Sequence, residues 1–177
     1  MNLDELRRVG CLIRQLHDES AAFGLPADAH WDVVIPPDRE EIICHHDLAP
    51  WNLVRDGDRW VFIDWDNAGP GSRLWDLAYA AASFVGMVHG NDPDADAARL
   101  AAIVDGYGLG IWDRRRLVPM LGRRTRAMFD LLVEGHRTGR QPWARLYDEG
   151  HADHWGQSAR HIEANVSAWS SALLRSG

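Results

Sequence analysis

The chain has 177 residues, 46% of them hydrophobic, and a formal net charge of −7. One domain spanning residues 1–177 is the expectation from that length, with enough apolar material for one good core. An acidic balance excludes a general nucleic-acid binder, which needs a basic face to release counterions, and no apolar run is long enough to span a membrane. Met1 leads directly into a charged amphipathic segment with no cleavable signal pattern, so a cytoplasmic protein is expected. Cys11 and Cys44 sit inside apolar patterns without metal or disulfide spacing and read as buried thiols.

Asn2 with Glu5 forms a capping-box pattern, and Leu3, Leu6, Val9, Leu12, Ile13 and Leu16 then recur at helical spacing, predicting a helix to about Glu19. Residues 20–40, with Pro36 and Pro37, read as a surface connection. Three strands are expected next, Glu41 to Cys44, Asn52 to Arg55 and Arg59 to Trp65, the last two joined by a tight hairpin at Asp56-Gly57. Asp47, Asn52 and Asp64 stand at the ends of these apolar runs, where a loop on a rigid scaffold carries chemistry. The hairpin brings Asn52 and Asp64 close enough to share one ion. A carboxylate and an amide oxygen suit a hard cation that keeps waters and substrate phosphates, while a second carboxylate orients an attacking hydroxyl.

Asn67 to Gly71 reads as a loop, and Ser72 to about Gly90 as a buried helix rich in alanine, with Asp76 in its first turn. Further helices are predicted from Pro93 to about Asp105 and from Trp112 to about Arg137, with Gly122 a weak point, and one helix or a pair from Pro142 to the end. The cluster Gly106-Tyr107-Gly108-Leu109-Gly110 reads as a helix stop and turn. Arg114 to Arg116 with Arg123, Arg124 and Arg126 read as a solvated helix face rather than a phosphate site. His151, Asp153, His154 and His161 lack compact zinc spacing, and a metal site there is disfavoured.

His45-His46-Asp47-Leu48-Ala49-Pro50-Trp51-Asn52 resembles the kinase catalytic loop, and Ile63-Asp64-Trp65-Asp66 resembles the metal-binding segment that follows it. Asp64-Trp65, then Ala68-Gly69-Pro70-Gly71 and Asp76-Leu77-Ala78, are similar to the aminoglycoside phosphotransferase and choline kinase-like family. His46 departs from the small residue usual at that place. The motifs cover roughly residues 42–80, and Leu12 to His17 resembles the run that opens the family's large lobe just beyond the hinge.

The resemblance implies an α+β, mostly α-helical fold: a kinase-like C-terminal lobe in which a small β-hairpin carries the catalytic and metal-binding loops, with the ATP-binding N-terminal lobe absent. It implies Asp47 as the catalytic base with His45 packed beneath the loop, Asn52 and Asp64 as holders of Mg2+ and the phosphates of ATP (or GTP), and Asp76 as a structural support. Asp66 is either a further metal carboxylate or a partner of its own backbone. The implied reaction moves the γ-phosphoryl to a hydroxyl of a small molecule, with an aminoglycoside or another amine in view. Asp130, Glu134, Asp148, Glu149, Asp153 and Glu163 are available to gather a cationic acceptor, although a solvated helix face explains each equally well.

All nineteen basic residues are arginine, so the lysine that clamps the α- and β-phosphates in such kinases has no counterpart in these residues. This motivates an alternative: a catalytically incomplete, kinase-derived binding, immunity or regulatory module. In either case the face normally met by the other lobe would be apolar and would seek a partner, either a second copy in a homodimer or an N-lobe-like protein. Trp51 and Trp65, two of nine tryptophans, lie beside the proposed metal residues.

Overall fold

The computed structural model describes residues 1–175. It is α+β and mostly helical, with seven helices and two antiparallel two-stranded sheets among the described residues. Helix α1 (Leu3–Phe23) starts from the Asn2/Glu5 capping box and buries Leu6, Val9 and Ile13. It runs a turn beyond the expected Glu19, to Phe23, with Gly24 as its C-cap.

Strand β1 (Ile42–Cys44) pairs not with its neighbour in sequence but with β4 (Gly69–Gly71), inside the segment expected to be loop. Cys44 lies opposite Gly69 and Ile42 opposite Gly71. Glycine and proline give β4 no strand signature; the pairing is tertiary, and its glycines let β1 and the connection approach closely. Strands β2 (Leu53–Asp56) and β3 (Arg59–Phe62) form the expected hairpin, but its loop is Gly57-Asp58, one residue later than expected. β3 stops at Phe62 rather than Trp65, because the chain turns into the left-handed region at Asp64 (φ 66°). Asn52 belongs to a single 3-10 turn, Pro50–Asn52, ahead of β2.

Helix α2 (Arg73–Val85) is capped by the Ser72 side chain, which accepts from the Trp75 amide, and is stopped by Gly86 well short of the expected Gly90. Apolar residues occur all round it, as suits a central helix. α3 (Pro93–Tyr107) and α4 (Ile111–Thr138) follow, α4 passing unbroken through Gly122. The C-terminal part holds three helices rather than one or two: α5 (Trp143–Asp148), α6 (His151–Ala164) and α7 (Val166–Arg175). Residues 176–177, included in the last expected helix, lie outside the described residues.

The main core joins α1, α2, α3, the start of α4 and the inner face of α7 around Leu77, Leu100, Ile103, Leu121 and Trp169. A smaller cluster of Ala49, Tyr79, Leu132, Ala152 and Trp155 ties the loop after β1 to α2, α4 and α6. Of the cysteines, Cys44 is buried as expected, whereas Cys11 is exposed, its Sγ donating to the Gly106 carbonyl of α3's last turn at 3.1 Å. The arginines of α4 divide: Arg114 and Arg124 are buried, Arg126 pairs with Glu163, and Arg115, Arg116 and Arg123 are exposed. No described helix is long and apolar enough to cross a membrane.

Candidate active site

The loop after β1 is anchored from below by one carboxylate. Asp76 is fully buried, and its two oxygens accept from the backbone amides of His45 (3.0 Å) and His46 (2.9 Å). His17 Nε2 lies 3.1 Å from the same carboxylate, and His17 Nδ1 lies 2.9 Å from the Tyr107 hydroxyl. Burial alone would push the Asp76 pKa up; the His17 hydrogen bond, the nearby imidazoles and the His45 amide outweigh it and hold the group at about 2. His17, Cys44 and Asp76 are the described residues whose ligand atoms come close enough for a metal. Their donors and acceptors are already used inside the fold, with Cys44 Sγ 3.4 Å from the Ser72 carbonyl.

The two histidines of the loop are both structural in placement. His45 is buried; its Nε2 donates to the Ile63 carbonyl at 3.0 Å, and its Nδ1 accepts from the Asp47 amide at 3.3 Å. It therefore ties the Asp47 loop to the residue before Asp64. His46 adopts φ 65°, and its Nε2 reaches the carbonyls of Gly69 and Pro70 at 3.2 and 3.1 Å, fastening the loop to β4. Burial lowers its pKa, Asp76 opposing and Arg124 reinforcing the shift.

Asp47 points into a cleft of about 850 Å3, within the range of small-molecule sites. Its Oδ1 accepts from the Tyr79 hydroxyl at 2.7 Å, and its Oδ2 accepts from Asn52 Nδ2 at 2.8 Å. Asn52 Nδ2 also donates to the Asp47 carbonyl at 3.0 Å, so its Oδ1 is the atom left for another partner. The Ile63 amide donates to the Asn52 carbonyl at 2.9 Å, extending the hairpin ladder and bringing Asn52 level with the start of the Asp64 segment. Asp64 lines the same cleft and carries no side-chain hydrogen bond or ion pair among the described residues. Asp66 is exposed and is not among the residues lining the cleft.

Two residues of this constellation had no motif to announce them. Tyr79, on α2, is buried, and burial together with the Asp47 charge raises its pKa, so it stays a donor. Arg124, on α4, donates from Nη2 to the His46 carbonyl at 3.0 Å and lies over the Tyr79 ring at 4.5 Å. The expected solvated face is overturned here: helix α4 turns Arg124 inward beneath the loop, where burial lowers its pKa against the opposing pull of Tyr79, Asp76 and Asp47. The hint in the sequence is slight, an arginine one residue before Thr125 and three after Leu121, on the buried stripe of α4.

The other C-terminal candidates scatter. His161 bonds Asp96 across α3 and α6 at 3.1 Å, while His151 and His154 line the cleft. Of the six carboxylates considered for an acceptor, Glu149 lines the cleft.

Residues 3–118 match the family model described as "Phosphotransferase enzyme family". Trifolitoxin immunity protein of Rhizobium leguminosarum bv. trifolii is 31% identical over 126 residues, covering 63% of this chain and 48% of that protein. Protein LicA of Haemophilus influenzae is 36% identical over 59 residues, covering 33% of this chain and 16% of LicA. The chain thus spans about half, or less, of the length of these curated relatives. No solved structure matches it. With well over half its length matched, the chain belongs to the phosphotransferase enzyme family.

Proposed function

We propose that the chain carries the catalytic half of a small-molecule O-phosphotransferase that uses ATP or GTP, in a cytoplasmic setting. The observation that carries this reading is the pairing, in one cleft, of a firmly oriented carboxylate, Asp47, with an unengaged one, Asp64. Each Asp47 oxygen holds one donor and has a second lone pair free, so an acceptor hydroxyl can still hydrogen-bond to it. The hydroxyl oxygen forms a new bond to the γ-phosphorus as the bond from that phosphorus to the β–γ bridging oxygen breaks. The leaving electron pair goes with the diphosphate, and the proton goes to Asp47.

The residues fit a hard cation: the Asn52 carboxamide oxygen and the Asp64 carboxylate are oxygen donors without other described partners, and Asp66, two residues further along the chain, is an exposed carboxylate. Magnesium, when bound there, supplies charge neutralisation at the β- and γ-phosphates. Val54, Val61 and Ile63 leave 43–48% of their surface exposed on the hairpin, an apolar floor suited to a nucleotide base. His45 and Asp76 act by holding the loop, not by touching reactants. Calorimetric titration with magnesium-ATP tests the reading: saturable binding that is lost in Asp64→Ala supports it, as does phosphoryl transfer lost in a folded Asp47→Ala. No binding to the folded wild type removes it.

A second reading, a binding or immunity module without catalysis, is favoured by one observation: a relative is named an immunity protein. Phe23, Trp51 and Trp65 are 73%, 62% and 45% exposed, an apolar surface suited to a second copy or to an N-lobe-like partner. Sedimentation at rising concentration discriminates: a shift to dimer supports self-association, and a monomer throughout leaves only the heterologous partner.

A further inference from the structure

The acceptor end of the cleft is apolar, aromatic and nearly free of usable negative charge. Its walls beyond Asp47 are built mainly by Met128 and Leu131 of α4, Trp143 and Leu146 of α5, and Trp155 of α6. These walls are set in place by packing. Trp155 stacks on Tyr79 with ring centroids 5.5 Å apart, and the Trp143 Cβ sits 2.3 Å from where a Cβ on Gly135 would be, so α5 rests directly on the backbone of α4.

The charges do not suit a polycation. The lining carboxylates are Asp47, Asp64 and Glu149. Asp47 is engaged by Tyr79 and Asn52, and Asp64 belongs to the end proposed for the phosphates. Glu149 has Arg145 Nε at 3.7 Å and His151 Nε2 at 3.9 Å. Of the remaining acids of these helices, Asp113 pairs with Arg116, Glu134 with Arg137, Glu163 with Arg126 and Asp148 with His136, while Asp130 and Asp153 are exposed and do not line the cleft. Arg124 adds positive charge at the base of the cleft. A ligand with several ammonium groups would leave most of them desolvated and unpaired here, which disfavours its binding.

We propose that this cleft takes a hydroxylated acceptor with a mainly aromatic or apolar body and at most one positive charge, seated against Trp143 and Trp155 with its hydroxyl toward Asp47. The orientation rests on the phosphotransferase reading, whereas the binding chemistry does not. Stacking on indole walls and release of water from apolar surface supply the affinity.

Calorimetric titration with 2-(1-naphthyl)ethanol as the neutral aromatic alcohol, and with spermine and kanamycin as polycations, tests this without requiring turnover. The alcohol is expected to bind saturably at one site, about tenfold more weakly in Trp143→Ala, while spermine and kanamycin neither bind at the same concentrations nor displace it. Leu146→Glu, which sets a carboxylate into the same wall without emptying the core, is expected to weaken the alcohol and create affinity for spermine. Saturable kanamycin or spermine binding that competes with the alcohol and is lost in Glu149→Gln overturns the proposal. So does a folded wild type that fails to bind the alcohol. Phosphorylation of kanamycin would refute this inference and leave the transferase reading standing; alcohol binding without magnesium-ATP binding would do the reverse.

Discussion

The Tyr79 hydroxyl donates to Asp47 Oδ1 at 2.7 Å, and the same ring is held between Trp155 on one side and the Arg124 guanidinium. A tyrosine on α2 therefore sets the orientation of the loop carboxylate. Hydrogen bonds to a charged group in a buried setting are worth about 1.5–3 kcal/mol. Tyr79→Phe removes this one while keeping the ring, so the unfolding free energy should fall by about 1–2 kcal/mol. In a double-mutant cycle with Asp47→Ala, measured by urea denaturation, a coupling of about 1 kcal/mol or more is expected. On the transferase reading, kcat drops about tenfold with the nucleotide KM unchanged. Additive effects in the cycle would mean that the contact is energetically idle.

Asp76 offers a second test, through acid. Its folded pKa of about 2 lies below the unfolded value of 3.8, so the native state binds fewer protons than the unfolded state between those limits. The stabilisation is therefore complete above about pH 4 and is lost as pH falls through about 2. It is worth about 2 kcal/mol at 1.36 kcal/mol per pH unit. Asp76→Asn cannot accept from both amides, and its NH2 faces donors, so it should cost at least that much at neutral pH. The difference between wild-type and mutant unfolding free energies should shrink from pH 4 to pH 2. A difference that stays constant with pH would show that the carboxylate charge does not matter.

How much of this was legible in the sequence depends on whether a feature is local. The capping box of α1, the β2–β3 hairpin and the order Asp47, Asn52, Asp64 are encoded over short spans by residue type and spacing, and the structure reproduces that order of elements. β4 was not legible, because Gly69-Pro70-Gly71 has no strand propensity and is made a strand by its partner Ile42–Cys44. The same holds for Tyr79 and Arg124. Each reads as an ordinary position on a helix, and only the packing of α2 against α4 brings them to the loop. Gly106 was read as part of a helix stop, but Gly108 makes the stop, and Gly106 lies inside α3 against the Arg7 backbone of α1.

His46 makes the loop sensitive to mild acid. Burial lowers its folded pKa from 6.5, so below that value the unfolded chain takes up a proton that the native loop resists. Stability should thus decline as pH falls below about 6.5. Asparagine tolerates the left-handed backbone at φ 65° and carries no proton equilibrium there. His46→Asn should therefore flatten this part of the pH profile, although loss of the Gly69 and Pro70 contacts lowers the stability itself. His154, also lowered, by burial and by His151, titrates in both proteins and drops out of the difference curve. An unchanged slope in His46→Asn would assign the effect to other groups.

The contact between α1 and α3 is set by two glycines. A Cβ on Gly106 would lie 2.0 Å from the Arg7 carbonyl oxygen, and one on Gly10 would lie 2.1 Å from the Ile103 carbonyl oxygen, so the helices touch backbone to backbone. Alanine at Gly106 gains about 1 kcal/mol of helix propensity, but it forces the helices apart, and overpacking of this kind costs about 3 kcal/mol. The second term wins, because the obstructing atoms are backbone and cannot rotate away. Gly106→Ala should lower the unfolding free energy by about 2 kcal/mol in urea. It should also loosen the Tyr107 hydroxyl's contact with His17, and through His17 the Asp76 anchor. Hydrogen exchange at the His45 and His46 amides, which donate to Asp76, reports that second effect: faster exchange in Gly106→Ala at matched global stability links the helix crossing to the loop. Equal exchange would confine the damage to the crossing itself.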